Sequence, residues 1–230
     1  MSTQDSNAIN QPKPDTQGYA ASHKEDSDTQ DCSVSRKEDS DTQSCSASHT
    51  EAPEIQAYIA SHKEELGIHE YAFLSTSDLV FSQEVRHLCE VNSCGQYGTT
   101  WACPPGVGTL EECKSKILKY KHLFVFTTLH KLEDSYDFEG MMDGKDRHNE
   151  LCPSIAKIFQ DEYKNLLILS AEGCNRCKTC TYPDAPCRFP DTLYPSIESY
   201  CVEVNRLAAT AGIHYINGEN TVTYFGCIMY

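Results

Sequence analysis

Large apolar side chains are sparse through the first fifty residues and recur in regular rhythms after about Ala52. In PEIQAYIASHKEELG, Ile55, Tyr58, Ile59 and Leu66 fall at helical intervals and the run stops at Gly67, so a first helix is predicted there. HEYAFLST then reads as a short strand. TLEECKSKILKYK opens with Thr109 and places Glu112 three residues on, the signature of a capping box, with Leu110, Cys113, Ile117 and Tyr120 along one helical face. The continuous apolar run HLFVFTTL follows and predicts a buried strand. Pro153 suits a helix start, with Leu151, Ile155, Ile158 and Phe159 on one side, and NLLILS is the next strand. Pro195 is read as opening a last helix through Ile197, Tyr200, Val204 and Leu207 that ends near Gly212, and TVTYFGCIMY closes the chain as a strand. This alternation predicts an α/β fold with a mixed sheet of about four strands, alternating helices, and cysteine-rich loops inserted between elements.

The silent region differs in composition as well. Residues 1–53 hold 10 Asp and Glu and 4 Lys and Arg, with only Met1, Ile9, Tyr19 and Val34 as large apolar side chains. Such a segment cannot bury enough surface to offset its ordering entropy. SHKEDSDTQDCS (Ser22 to Ser33) recurs 13 residues later as SRKEDSDTQSCS (Ser35 to Ser46), too few copies for a solenoid. The expected organisation is a disordered, duplicated acidic tail over 1–53 and a metal-binding domain over 54–230. Cys32 and Cys45 ride on the repeats and are set apart from any site.

Charge narrows the partners. The 34 acidic residues against 19 Lys and Arg give a formal charge of −15, which opposes binding to a nucleic-acid backbone or an anionic membrane. No basic segment followed by an apolar stretch opens the chain, and no apolar run approaches the ~18 residues of a membrane span. A cytoplasmic location is therefore expected. In that setting the 13 cysteines are read as metal-binding, redox-active or buried rather than paired in disulfides.

Seven of those cysteines form two constellations. Cys89, Cys94 and Cys103, with Cys113 as a further candidate, are spaced C-x4-C-x8-C-x9-C through a segment rich in Gly and Pro, the kind of backbone that can turn around a metal centre. Cys113 also lies on the apolar stripe of its helix, which favours a core position. Tyr97 and Trp101 are candidate lids over whatever the loop encloses, or core aromatics. Cys174, Cys177, Cys180 and Cys187 give C-x2-C-x2-C-x6-C. Three thiols at consecutive x2 spacings fit zinc poorly, because zinc usually takes two separated knuckles, whereas ferredoxin loops supply three iron ligands this way. A 4Fe-4S cluster is the expected cofactor and zinc the alternative.

The fourth ligand has two candidates. Either each constellation holds its own cluster, or Cys174, Cys177 and Cys180 share one with a first-loop cysteine, among which Cys103, followed by proline as in ferredoxin loops, is preferred and rivals Cys187. Arg176, Lys178 and Arg188 lie among these ligands and are read either as offsetting cluster charge or as solvated loop residues. Cys152, Cys201 and Cys227 are expected to be buried. His62, His69, His87, His122, His130, His148 and His214 show no mutual ligand spacing. No H-E-x-x-H, G-x-S-x-G or P-loop motif assigns a reaction.

LCEVNSCGQYGTTWACPPGVGTLEEC, CNRCKTCTYPDAPCRFP and the closing NGENTVTYFG together resemble the predicted metal-binding family catalogued as domain of unknown function 2284. The resemblance covers roughly Glu54 to Tyr230. It implies Cys89, Cys94, Cys103, Cys174, Cys177, Cys180 and Cys187 as the metal-binding set and implies no reaction. The expected function is a cytosolic protein binding one or two iron–sulfur clusters that transfers electrons, with a redox partner protein, or supports a low-potential redox step. A zinc-binding structural or regulatory module, and a reversible metal carrier or sensor, are the alternatives.

Overall fold

A computed structural model describes residues 52–171 and 173–230. The acidic tail and its repeats lie outside the described residues. Four strands form one sheet in the order β1-β2-β4-β3: β1 Tyr71–Ser75, β2 His122–Lys131, β3 Leu167–Leu169 and β4 Thr221–Met229. Every pairing is antiparallel, with Val125 opposite Ala72 on one side and Cys227 on the other. The expected four strands are present, and the helices between them return the chain to antiparallel rather than parallel neighbours.

Helices cover both faces of this sheet, so β2 reads as a continuous apolar run rather than an alternating one. Leu123 and Val125 of β2 join Phe225, Cys227 and Met229 of β4 in one core, against α3 (Leu110–Ile117) and α5 (Val204–Ala211). Phe124 and Phe126 point the other way and join Ile228 in a second core, against α1 (Pro53–His62) and α4 (Phe138–Gln160). The period of two along each strand divides the two cores.

Local signals set most element ends. The capping box of α3 is formed, with Glu112 N–H donating to Thr109 Oγ1 at 3.2 Å and Thr109 N–H to the Glu112 carboxylate at 2.8 Å. Gly212 caps α5 in the left-handed region at φ 67°. Two helices differ from expectation. α4 starts at Phe138, capped by Asp137 accepting from Gly140 N–H at 2.8 Å, and carries Pro153 in its interior. Its first half is polar and glycine-containing, so apolar periodicity is faint there; Gly144 admits the close approach of His130, whose Cγ would lie 2.8 Å from an added Cβ. The helix expected from Pro195 is broken. A 3₁₀ turn over Glu198–Tyr200 ends at Cys201 with φ 64°, and α5 begins only at Val204.

One further helix, α2 (Gln83–Val91), was not foreseen, and it carries Cys89 in its last turn rather than in a loop. Ser82 caps it by accepting from Glu84 N–H at 3.1 Å. Its Leu88 and Val91 are 69% and 58% exposed, and its buried residue is Arg86. Val85 and Cys89 lie half-buried beside Arg86, so the inward face of this helix mixes a charge with apolar residues.

Candidate metal centre

The first cysteine loop runs from the end of α2 to the cap of α3. Asn92, left-handed at φ 59°, ends α2 and its N–H bonds Cys89 O, while its side chain accepts from Tyr97 N–H at 2.9 Å. Gly98 N–H reaches Pro104 O at 2.8 Å and Val107 N–H reaches Cys103 O at 3.2 Å, so the loop is folded on its own backbone. Cys94 is exposed, Cys89 half-buried and Cys103 buried. Burial raises the Cys89 thiol to about 11, with Arg86 pulling the other way and Cys103 and Cys94 adding to the rise. Burial also raises Cys103, as do Cys94 and Cys174, while Thr100 favours its thiolate. Each of these thiols therefore lies within electrostatic reach of another.

The second loop places all four of its cysteines around one cavity of about 510 Å³, whose wall also includes Thr100 and Trp101 of the first loop. Backbone N–H groups point at the sulfurs: Tyr182 N donates to Cys180 Sγ at 3.5 Å and Phe189 N to Cys187 Sγ at 3.4 Å. Desolvation opposes ionisation of Cys180, but N–H groups of Tyr182, Trp101 and Thr181, with Arg188 nearby, outweigh it and lower its pKa. Arg188 also holds the loop, donating to Thr179 O at 2.9 Å. Arg176 donates to Thr192 and lies 5.0 Å over the Phe189 ring. Trp101 ties the loops together, its Nε1 donating to Ala185 O at 3.0 Å and its ring meeting Tyr182 edge-on at 4.9 Å. Of the two candidate lids, Trp101 borders the cavity and Tyr97 is not among its lining residues.

The loops meet at Gly173. A Cβ there would come within 3.1 Å of Cys103 Sγ, so the glycine is the gap through which the buried thiol approaches the strand leading to Cys174. Cys113 is apart from this group. It is fully buried in the core, its Sγ 3.6 Å from Val107 O, and burial raises its pKa. Cys152, Cys201 and Cys227 are likewise buried.

The donor set suits a metal centre. The eleven described cysteines are free thiols, none spent in a disulfide. Thr100, on the cavity wall, keeps its buried hydroxyl beside the Cys103 thiol and favours the thiolate there. Among the described residues, no three His, Cys, Asp or Glu side chains converge tightly enough for a single metal ion.

Two constellations meeting across Gly173, in the context of this sheet, agree with the outcome of comparison with known families. The sequence profile of the family described as predicted metal-binding protein (domain of unknown function 2284) matches residues 72–230. The chain belongs to that family. The match spans both cysteine loops and the whole sheet except Tyr71, and begins after α1. Comparison with curated proteins and with solved structures found no match. Among the described residues, no helix is long and apolar enough to cross a membrane.

Sequence reading missed two residues beside the site and one buried polar chain away from it. Arg86 is charged, and nothing in its neighbouring residues marks it as buried. Thr100 is one polar residue in a loop of many. The third is a buried polar chain beside α4, where His148 Nδ1 lies 2.9 Å from Thr128 Oγ1 and His130 Nε2 lies 2.9 Å from the same hydroxyl. Only the packing of α4 on β2 brings this polar chain together.

Proposed function

We propose that this member of the predicted metal-binding family is a cytosolic iron–sulfur protein that passes electrons to a redox partner. The observation that carries this reading is that all four thiols of C-x2-C-x2-C-x6-C face a single cavity. Cys174, Cys177, Cys180 and Cys187 would hold a 4Fe-4S cluster, and such a group supplies one-electron transfer when bound. Cys187 is favoured over Cys103 as fourth ligand because it borders the cavity, while Cys103 is not among the lining residues. The residues around the cavity have matching roles. Trp101 limits water, N–H groups of Tyr182 and Phe189 stabilise negative charge on sulfur, and Arg176, Lys178 and Arg188 offset it.

Purification without oxygen, assay of iron, acid-labile sulfide and zinc, and visible spectra before and after dithionite test this. Stoichiometric iron and sulfide with a brown absorbance that dithionite bleaches is the expected result. Stoichiometric zinc without sulfide overturns it in favour of a zinc module. Metal lost to a mild chelator with the fold intact points instead to a carrier.

A further inference from the structure

A second cavity, of about 500 Å³, lies beside the metal cavity and shares Trp101, Cys187 and Leu193 with it as a common wall. Its volume is that of a small-molecule site. It is enclosed by the end of the first loop at Val107, by Lys116 of α3, by residues 183–187 of the second loop and by the turn at Tyr200.

Most of this wall is apolar and short of donors. Pro183, Pro186 and Pro195 have no N–H to offer, and the Trp101 indole N–H is already spent on Ala185 O at 3.0 Å. Trp101 therefore presents its ring rather than a donor, which suits a flat apolar body.

Two donors interrupt that surface. Tyr200 is 5% exposed and borders the cavity, and its hydroxyl has no hydrogen bond to any described residue. A buried hydroxyl without a partner costs free energy, so this one calls for an acceptor on whatever fills the cavity. Burial raises its pKa to about 12, with Cys113 and Tyr120 adding to the rise, so it keeps its proton at neutral pH. Lys116 stands next to it, Nζ 5.8 Å over the Tyr200 ring and 2.7 Å from Val107 O. The bond to Val107 occupies one ammonium proton of three. Asp184 is the one carboxylate among the lining residues and balances the charge of Lys116. The wall thus asks for acceptor oxygens on a flat ring and for no net charge.

We propose that this cavity binds a planar aromatic ligand with ring carbonyl oxygens, its ring against Trp101 and the prolines and its oxygens accepting from Tyr200 Oη and Lys116 Nζ. The occupant rests against Cys187, the residue favoured as fourth metal ligand, so the site adjoins the metal centre without being part of it. Binding there does not depend on which metal the cysteines hold.

The probe is 2,3-dimethyl-1,4-naphthoquinone, whose substituted ring resists addition of the protein's thiols. Its control is 2,3-dimethylnaphthalene, the same ring without the oxygens. Equilibrium dialysis uses the full chain, purified without oxygen and with no reductant added. The quinone should bind saturably, one per chain, and at least ten-fold more tightly than the hydrocarbon. Tyr200→Phe and Lys116→Met, each checked for fold by circular dichroism, should each weaken the quinone at least three-fold, as loss of one hydrogen bond does, and leave the hydrocarbon within two-fold. Quinone binding no tighter than that of the hydrocarbon overturns the proposal. So does a folded variant of either residue that binds the quinone as wild type does. If Tyr200→Phe does not fold, Lys116→Met decides alone. Stoichiometric zinc without sulfide would overturn the iron–sulfur reading and leave the dialysis to judge this site by itself.

Discussion

Cys113 and Cys180 show how one residue type takes opposite roles by position. Cys113 falls on the stripe of α3 and is sealed among Val107, Ile117 and Tyr200, where burial raises its pKa and keeps it a thiol. Cys180 is half-buried at a cavity wall, with N–H groups aimed at it that lower its pKa. Cys113→Ala should therefore retain full metal content while costing about 1–2 kcal/mol, the usual range for a small buried truncation. Cys180→Ala should lose metal with little cost to the metal-free fold. Metal analysis with thermal melting checks both, and a folded Cys113→Ala without metal would move that residue into the site. The apolar stripe was enough to read Cys113 from sequence. Spacing could nominate Cys180 as a ligand, but not show which sulfurs share its cavity.

At the scale of elements, α4 packs on β2 through a polar seam. His148 is fully buried, stacked 5.4 Å from Phe126, with Nε2 lacking a hydrogen-bond partner. Desolvation lowers its pKa from 6.5 to about 4, and desolvation with Arg147 lowers His130 in the same direction. The unfolded chain therefore binds these protons more readily than the native one. Stability from this seam is complete above the ordinary pKa of 6.5 and is lost as pH falls toward about 4, by about 3 kcal/mol for His148 alone. His148→Phe, which keeps the stacking and cannot titrate, should flatten that acid slope. Urea unfolding of both proteins at pH 7 and pH 4.5 measures the difference, since metal loss at acid pH affects each alike. Equal slopes would show that the proton is bound elsewhere. α4 itself was half-legible in sequence: Ile155 and Phe159 mark its second half, whereas Gly144, Lys145 and His148 give no apolar signal for its first.

For the whole molecule, the two cores and the seven candidate cysteines all lie within residues 52–230. A chain lacking residues 1–50 should keep its metal content and its melting midpoint; loss of either would give the acidic tail a part in the fold. The sequence by itself determined the four strands, the cap of α3, the buried cysteines and the two cysteine motifs. Each is written in neighbouring residues, through a period of two or 3.6, a cap, or a ligand spacing. Only the tertiary structure decided that Trp101 walls the second loop's cavity, that Cys103 meets Gly173, and that Arg86 joins Gly108 to Ser199. Those contacts join residues far apart in the chain, and their partners are set by sheet order and helix packing, which no local pattern encodes.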